Sequence, residues 1–185
     1  MPPILLASAS PRRAELLRAA GYDFEIRPAH VDEVPRPGEA ATAYTQRVAH
    51  DKARAAASEA SGRIVLAADT EVVVDGDILG KPAHPADAAA MLRRLSARAH
   101  DVITAVVVLT DAQERSEIAT TRVWFAQMSE TEIAAYVQTG EPMGKAGAYA
   151  IQGYAARFIE RIDGSWSNVV GLPVHTVHRL LRDIL

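Results

Sequence analysis

The stretch from Arg63 to Pro82, RIVLAADTEVVVDGDILGKP, constrains the fold more than any other part of the chain. Ile64, Val65, Leu66, Ala67 and Ala68 form a short apolar run, the mark of a strand buried on both faces. Asp69 and Thr70 interrupt the run, and Val72, Val73 and Val74 resume strand character. Asp75-Gly76-Asp77 is a turn signal before Ile78 and Leu79, and the stretch closes on Gly80-Lys81-Pro82. The pattern predicts a buried strand ending at a carboxylate and a hydroxyl, with a lysine one hairpin away. Open α/β sheets hold their ligands at such strand ends. A turn or a helix cap is the plainer reading of Asp69, but no helix begins after it.

Composition narrows what that strand can belong to. At 185 residues and 49% hydrophobic content the chain can bury a sizeable core as a single domain, 1–185, with room for two lobes around a cleft. A net charge of −3 and a pI near 6.1 argue against a nucleic-acid partner, which would call for a basic surface. The absence of cysteine excludes disulfides, thiol catalysis and cysteine-bound zinc. MPPILLASASPRR lacks the basic start and the apolar length of a signal peptide, and no run approaches the roughly 20 apolar residues of a membrane span. A soluble, cytoplasmic protein is expected. Of 20 basic residues only Lys52, Lys81 and Lys145 are lysines, so a compact ammonium at those positions invites a reason beyond surface charge.

In chain order, Ile4 to Leu6 reads as a first strand, followed by Ser8-Ala9-Ser10 and a helix through Leu16 and Leu17 that stops at Gly21. Ser10 suits the N-cap and Pro11 the first turn. Arg12 and Arg13 fall where positive charge opposes the helix dipole, which a bound polyanion would justify. A capped surface helix with two solvated arginines is the plainer alternative. Tyr22 to Arg27 alternates as a strand, and the proline-rich loop Pro28 to Gly38 carries Asp32-Glu33. An alanine-rich helix is expected over Glu39 to Ala60, with Arg47 and Asp51 able to pair. Further helices are expected over Pro85 to Leu95, from the capping box Ser129-Glu130-Thr131-Glu132 to Gly140, and over Leu172 to Leu185. Strands are expected over Asp101 to Leu109, Arg115 to Phe125 and Arg157 to Ile162. Gly144 to Gly153, GKAGAYAIQG, reads as a glycine-punctuated loop entering a strand and lacks the Ser or Thr of a Walker loop. His175 and His178 read as surface or core histidines, and no nucleophile elbow surrounds Ser165.

SASPRR, AADTEVVVDGDILGKP, GKAGAYAIQG and GSWSNVVGLP, in that order, resemble the Maf family of nucleoside triphosphate pyrophosphatases over essentially the whole chain. The resemblance implies an elongated α/β fold: a mixed twisted sheet flanked by helices, with two lobes around a central cleft. It implies hydrolysis of a nucleoside triphosphate to the monophosphate and pyrophosphate with a divalent cation, Mg²⁺ or Mn²⁺. By position, Asp69 matches the proton acceptor and Glu33 a charged position lining the cleft, and these two carboxylates would suffice to hold the cation together with waters and phosphate oxygens. Ser8, Arg12 and Arg13 match the phosphate-facing turn, and Lys52 and Lys81 match charged positions lining the cleft. Thr70 and Gln152, with Arg12, match positions tied to substrate choice. Ala150-Ile151-Gln152-Gly153 looks like the dTTP/UTP subgroup, since the 7-methyl-GTP subgroup usually carries Glu in place of Gln152. Glu71 departs from the family, which usually has an aliphatic residue there. Its carboxylate either alters metal binding or faces solvent.

The residues fit this chemistry in their own right. Asp69 can deprotonate a water attacking phosphorus, and Arg12, Arg13, Lys52 and Lys81 can stabilise departing pyrophosphate. The alternatives are a 7-methyl-GTP pyrophosphatase and a non-catalytic nucleotide-binding regulator of cell division. Oligomeric state is left open, a homodimer included.

Overall fold

The structure, a computed structural model, describes residues 4–58, 62–182 and 184. Seven strands and six α-helices appear among them: β1 (Ile4–Leu6), α1 (Pro11–Ala19), β2 (Phe24–Ile26), α2 (Ala41–Ala57), β3 (Val65–Val74), β4 (Asp77–Leu79), α3 (Pro85–Leu95), β5 (Ala99–Leu109), β6 (Glu114–Phe125), α4 (Glu130–Gln138), β7 (Ile159–Asp163), α5 (Trp166–Val170) and α6 (Val174–Leu181). The strands form one open, twisted sheet in the order β2-β1-β3-β5-β6-β7, with β4 paired to β3. It is mixed: β1 runs parallel to β2 and β3, whereas β3–β4 and β6–β7 are antiparallel. Helices flank it, giving the α/β class the sequence implies. Among the described residues no helix is long and apolar enough to cross a membrane.

The chain divides into two compact units, with boundaries inside β3, β5 and β6. In the first unit (residues 1–70, 104–119 and 171–185) the period-2 alternation of strands sorts two cores. Ile4, Leu6, Leu66, Ala68, Val106 and Val108 pack with Ala14 and Leu17 of α1 and Val177, Leu180 and Leu181 of α6. Leu5, Ala7, Val65, Ala67, Ala105 and Val107 pack with Ala49, Ala53 and Ala56 of α2. Alternate residues of the same strand therefore meet different helices. Leu17 is fully buried, which contributes about 1.5–3 kcal/mol relative to exposure. The alanines of α2 remove little area each, but their small side chains let the helix lie close on the sheet.

The second unit (residues 71–103 and 120–170) holds the β3–β4 hairpin, α3, α4 and α5. Asp75 and Gly76 both have positive φ, 54° and 85°, as the two-residue hairpin turn between Val74 and Asp77 requires. The Ser129–Glu132 capping box forms as expected. At Gly147, φ is +67°, and a Cβ would meet Val72 at 2.8–2.9 Å, so this position tolerates only glycine.

Two expectations are corrected. Asp69 and Thr70 do not end a strand: β3 is continuous over 10 residues, with both in its middle. Their polar side chains find partners on either face, so the strand passes through them despite the low β-propensity of Asp. The Gly144 to Gly153 loop leads into a 3₁₀ turn (Tyr154–Phe158) before β7 begins at Ile159, because successive glycines and the positive-φ Ala148 break any extended run. Arg47 pairs with Asp51 at 3.7 Å as expected, and more closely with Glu39, at 2.7 and 2.8 Å. The expected ends of two helices, at Ala60 and Leu185, lie outside the described residues.

Candidate active site

The parity of β3 divides the candidate residues of the first unit into two groups. Asp69 follows Val65 and Ala67 onto the α2 side, and Thr70 follows Leu66 and Ala68 onto the α1/α6 side.

On the α2 side, the Lys52 ammonium donates to Asp69 Oδ1 at 2.7 Å and contacts Glu33 Oε1 at 2.8 Å. Lys52 and Asp69 are 8% and 5% exposed, while the Glu33 side chain is 42% exposed and reaches in from the proline-rich loop. Tyr44 fixes that loop by donating to the Glu33 carbonyl at 2.7 Å. Asp69 Oδ2 is buried and has no hydrogen-bond partner among the described residues. Buried carboxylate oxygens are rarely left so, and one that is marks a place for a proton, a water or a cation. The arrangement is an anchored carboxylate with one oxygen held and one in reserve, which is the geometry of a general base.

On the other side, Arg13 is buried and turned inward. Its Nε donates to the Gly171 carbonyl at 2.8 Å, one terminal nitrogen to Ser8 Oγ at 3.1 Å and the Ala68 carbonyl at 2.8 Å, and the other to Thr70 Oγ1 at 3.0 Å. Thr70 Oγ1 also lies 3.0 Å from Thr104 Oγ1 and 3.2 Å from the Gly171 carbonyl. Arg13 thus ties β1, β3 and the start of the α6 segment together. Ser10 holds the N-cap position without a side-chain cap bond, and Ser8 Oγ instead accepts from the Ser10 N–H at 3.2 Å. Arg12 is half-buried beside it, and burial pulls its guanidinium below the ordinary arginine value, with Glu15 opposing.

Two candidates belong to the second unit. Lys81 is exposed just past β4, next to Gly80, whose carbonyl accepts from the Gly147 N–H at 3.2 Å. Gln152 is exposed on the turn that follows the glycine loop. Glu71 is 8% exposed, which excludes the solvent-facing reading.

Residues 3–184 match the family described as Maf-like protein. The chain belongs to that family. Among curated relatives of this Maf-like chain, a dTTP/UTP pyrophosphatase of Koribacter versatilis is 51% identical over 97% of this chain and 93% of its own. One of Geobacter metallireducens, with the same name, is 51% identical over 97% and 94%. One of Vibrio vulnificus is 45% identical over 98% of each chain. A solved structure, that of protein VC0702 from Vibrio cholerae, aligns with a TM-score of 0.38 at 13% identity over 69% of this chain and 64% of its own, too loosely to argue from.

The sequence does not mark every residue of these networks in the Maf-like chain. Thr104 and the Gly171 carbonyl complete the Thr70 network, and no motif marks either. In the second unit, Glu141 accepts from the Tyr136 hydroxyl and the Tyr154 N–H, and a lone glutamate carries no sequence signal of such partners.

Proposed function

We propose that this chain is a nucleoside triphosphate pyrophosphatase that hydrolyses dTTP and UTP to the monophosphate and pyrophosphate. The observation that carries the reading is Asp69, held at Oδ1 by Lys52 and open at Oδ2. The names of relatives at about half identity over nearly full length support the substrate assignment.

Water attacks the α-phosphorus, the bond from that phosphorus to the bridging oxygen breaks, and pyrophosphate leaves with the bond's electron pair. Asp69 Oδ2 takes the proton of the attacking water. Lys52 keeps the carboxylate from turning by holding Oδ1, and Glu33 holds Lys52 in place. Ser8, Arg12 and the first turn of α1 face the phosphates, and Lys81 supplies charge for pyrophosphate. Arg13 works from behind: with its guanidinium committed to Gly171, Ser8, Ala68 and Thr70, it sets the position of Ser8 and Thr70. Thr70 and Gln152 bear on the choice of base.

Mg²⁺ or Mn²⁺ fits this donor set. Among the described residues no three histidines or carboxylates gather to cage a metal. A hard cation that keeps most of its waters and takes phosphate oxygens needs only one or two carboxylates. Asp69 and Glu33, on either side of Lys52, would hold it. When bound, the cation would neutralise charge on the phosphate oxygens.

The test is product analysis with dTTP, UTP, CTP, GTP and 7-methyl-GTP in Mg²⁺ or Mn²⁺. Pyrophosphate release fastest from dTTP and UTP is expected. Release of orthophosphate, or fastest turnover of 7-methyl-GTP, would overturn the assignment.

A further inference from the structure

The turn that carries Gln152 is pinned at both ends by one carboxylate. Glu141 Oε2 accepts from the Tyr154 N–H at 3.0 Å, and Oε1 accepts from the Tyr136 hydroxyl at 2.7 Å. That hydroxyl in turn accepts from the Ala150 N–H at 3.3 Å. The backbone donors on either side of Ile151-Gln152-Gly153 therefore both end on Glu141, one directly and one through a phenol. The Gly153 N–H closes the turn on the Ala150 carbonyl at 3.0 Å.

The Glu141 backbone is itself held. The Glu141 N–H donates to Thr139 Oγ1 at 3.1 Å, and the Lys145 ammonium donates to the Glu141 carbonyl. Tyr136 is fully buried, and burial and Glu141 push its phenol up, so it stays a donor. Gly153 leaves the space that the arrangement needs. A Cβ there would lie 2.2–2.6 Å from the Glu141 carboxylate, and since its φ of −109° suits any residue, that contact is what a side chain would disturb.

We propose that Glu141 is a positioning residue for substrate choice, fixing through Tyr136 and the Tyr154 N–H the turn that presents Gln152. This rests on the reading of Gln152 as a base-selecting residue. An amide offers a donor on one side and an acceptor on the other, so it selects a base edge only when its backbone is held to a fraction of an ångström.

The experiment measures kcat/KM for dTTP, UTP and CTP on wild type, Glu141→Ala, Gln152→Ala and the double variant. Glu141→Ala should lower the preference for dTTP and UTP over CTP by on the order of tenfold, within the scale of one base contact, mainly through KM. In the Gln152→Ala background the same change should alter the preference little, since the residue it positions is gone. Glu141→Gln, which keeps an acceptor for the Tyr154 N–H, should restore most of the preference. Should Glu141→Ala not fold, Tyr136→Phe removes the relay while keeping the ring, and the same loss is expected. Equal loss for all three substrates, or the same shift in preference with and without Gln152, would overturn the proposal. If Gln152→Ala alone left the preference unchanged, the reading of Gln152 would fall first, and this inference with it.

Discussion

The Lys52 ammonium lies 2.7 Å from Asp69 Oδ1, with side chains 10% and 7% exposed. A buried pair of this kind adds little net stability, because desolvation offsets most of the attraction, but breaking it leaves a charge stranded. In the proposed mechanism its use is orientation. Lys52 takes one carboxylate oxygen and leaves the other for chemistry, while Glu33, more exposed, holds the lysine from the far side.

Arg12 and Arg13, adjacent in sequence, should fail in different ways. Arg13→Ala removes four hydrogen bonds made by a buried cation, two of them to the Gly171 and Ala68 carbonyls. Hydrogen bonds to charged groups contribute about 1.5–3 kcal/mol each and are not additive, so a loss of about 3 kcal/mol or more is expected. Arg12→Ala should leave the melting temperature nearly unchanged and raise KM for the triphosphate. Thermal melts and steady-state kinetics on both variants check this, and a stable, kinetically impaired Arg13→Ala would contradict it.

Much of the fold was legible in the sequence, and the missing part has a physical cause. The apolar run Ile64 to Ala68, the Asp75-Gly76 turn and the Ser129–Glu132 capping box each carry a local signal, and each formed as expected. Asp69 and Thr70 looked like a strand end because polar residues usually stop a buried run. What carries β3 through them is Lys52 from α2 on one face and Arg13 from α1 on the other, residues 17 and 57 positions away from their partners. The inward turn of Arg13 was hidden for the same reason, since its partners come from three separate segments. Glu141 shows the limit most plainly: its role exists only through Tyr136, Gly153 and Tyr154.

Acid should weaken the second unit through His100. This residue is 2% exposed on β5, shares a 2.8 Å hydrogen bond with the Tyr149 hydroxyl, and packs edge-on against Phe125 and Tyr149. Its Nδ1 has no hydrogen-bond partner among the described residues, and burial lowers its pKa from 6.5 to about 4, with Asp101 opposing. The unfolded chain therefore binds the extra proton first. The contribution is complete above the unfolded value of 6.5, declines as pH falls, and is lost below about 4. The total is about 3 kcal/mol, from 1.36 kcal/mol per pKa unit. Urea denaturation across this range should show the decline, and His100→Gln should flatten it. Parallel curves for the two proteins would contradict the account.

Gln152→Glu tests how the base is chosen. Uracil and thymine present carbonyl oxygens flanking one N–H, an edge that suits an amide, whereas guanine presents two donors that suit a carboxylate. The substitution should shift relative kcat/KM from dTTP and UTP toward GTP and 7-methyl-GTP by about 1–3 kcal/mol, the scale of a bidentate base contact. An unchanged ranking would mean that Gln152 does not read the base.

The central claim is that Asp69 is the general base, and one substitution tests it most directly. Asn at position 69 keeps the side-chain shape and an acceptor for Lys52, which Glu33 continues to neutralise, so the fold should survive. It has no proton affinity to offer an attacking water. Pyrophosphate release from dTTP, measured at saturating substrate on Asp69→Asn with an unchanged circular dichroism spectrum, should fall by about 10²-fold or more. Near wild-type kcat in that folded variant would contradict the claim.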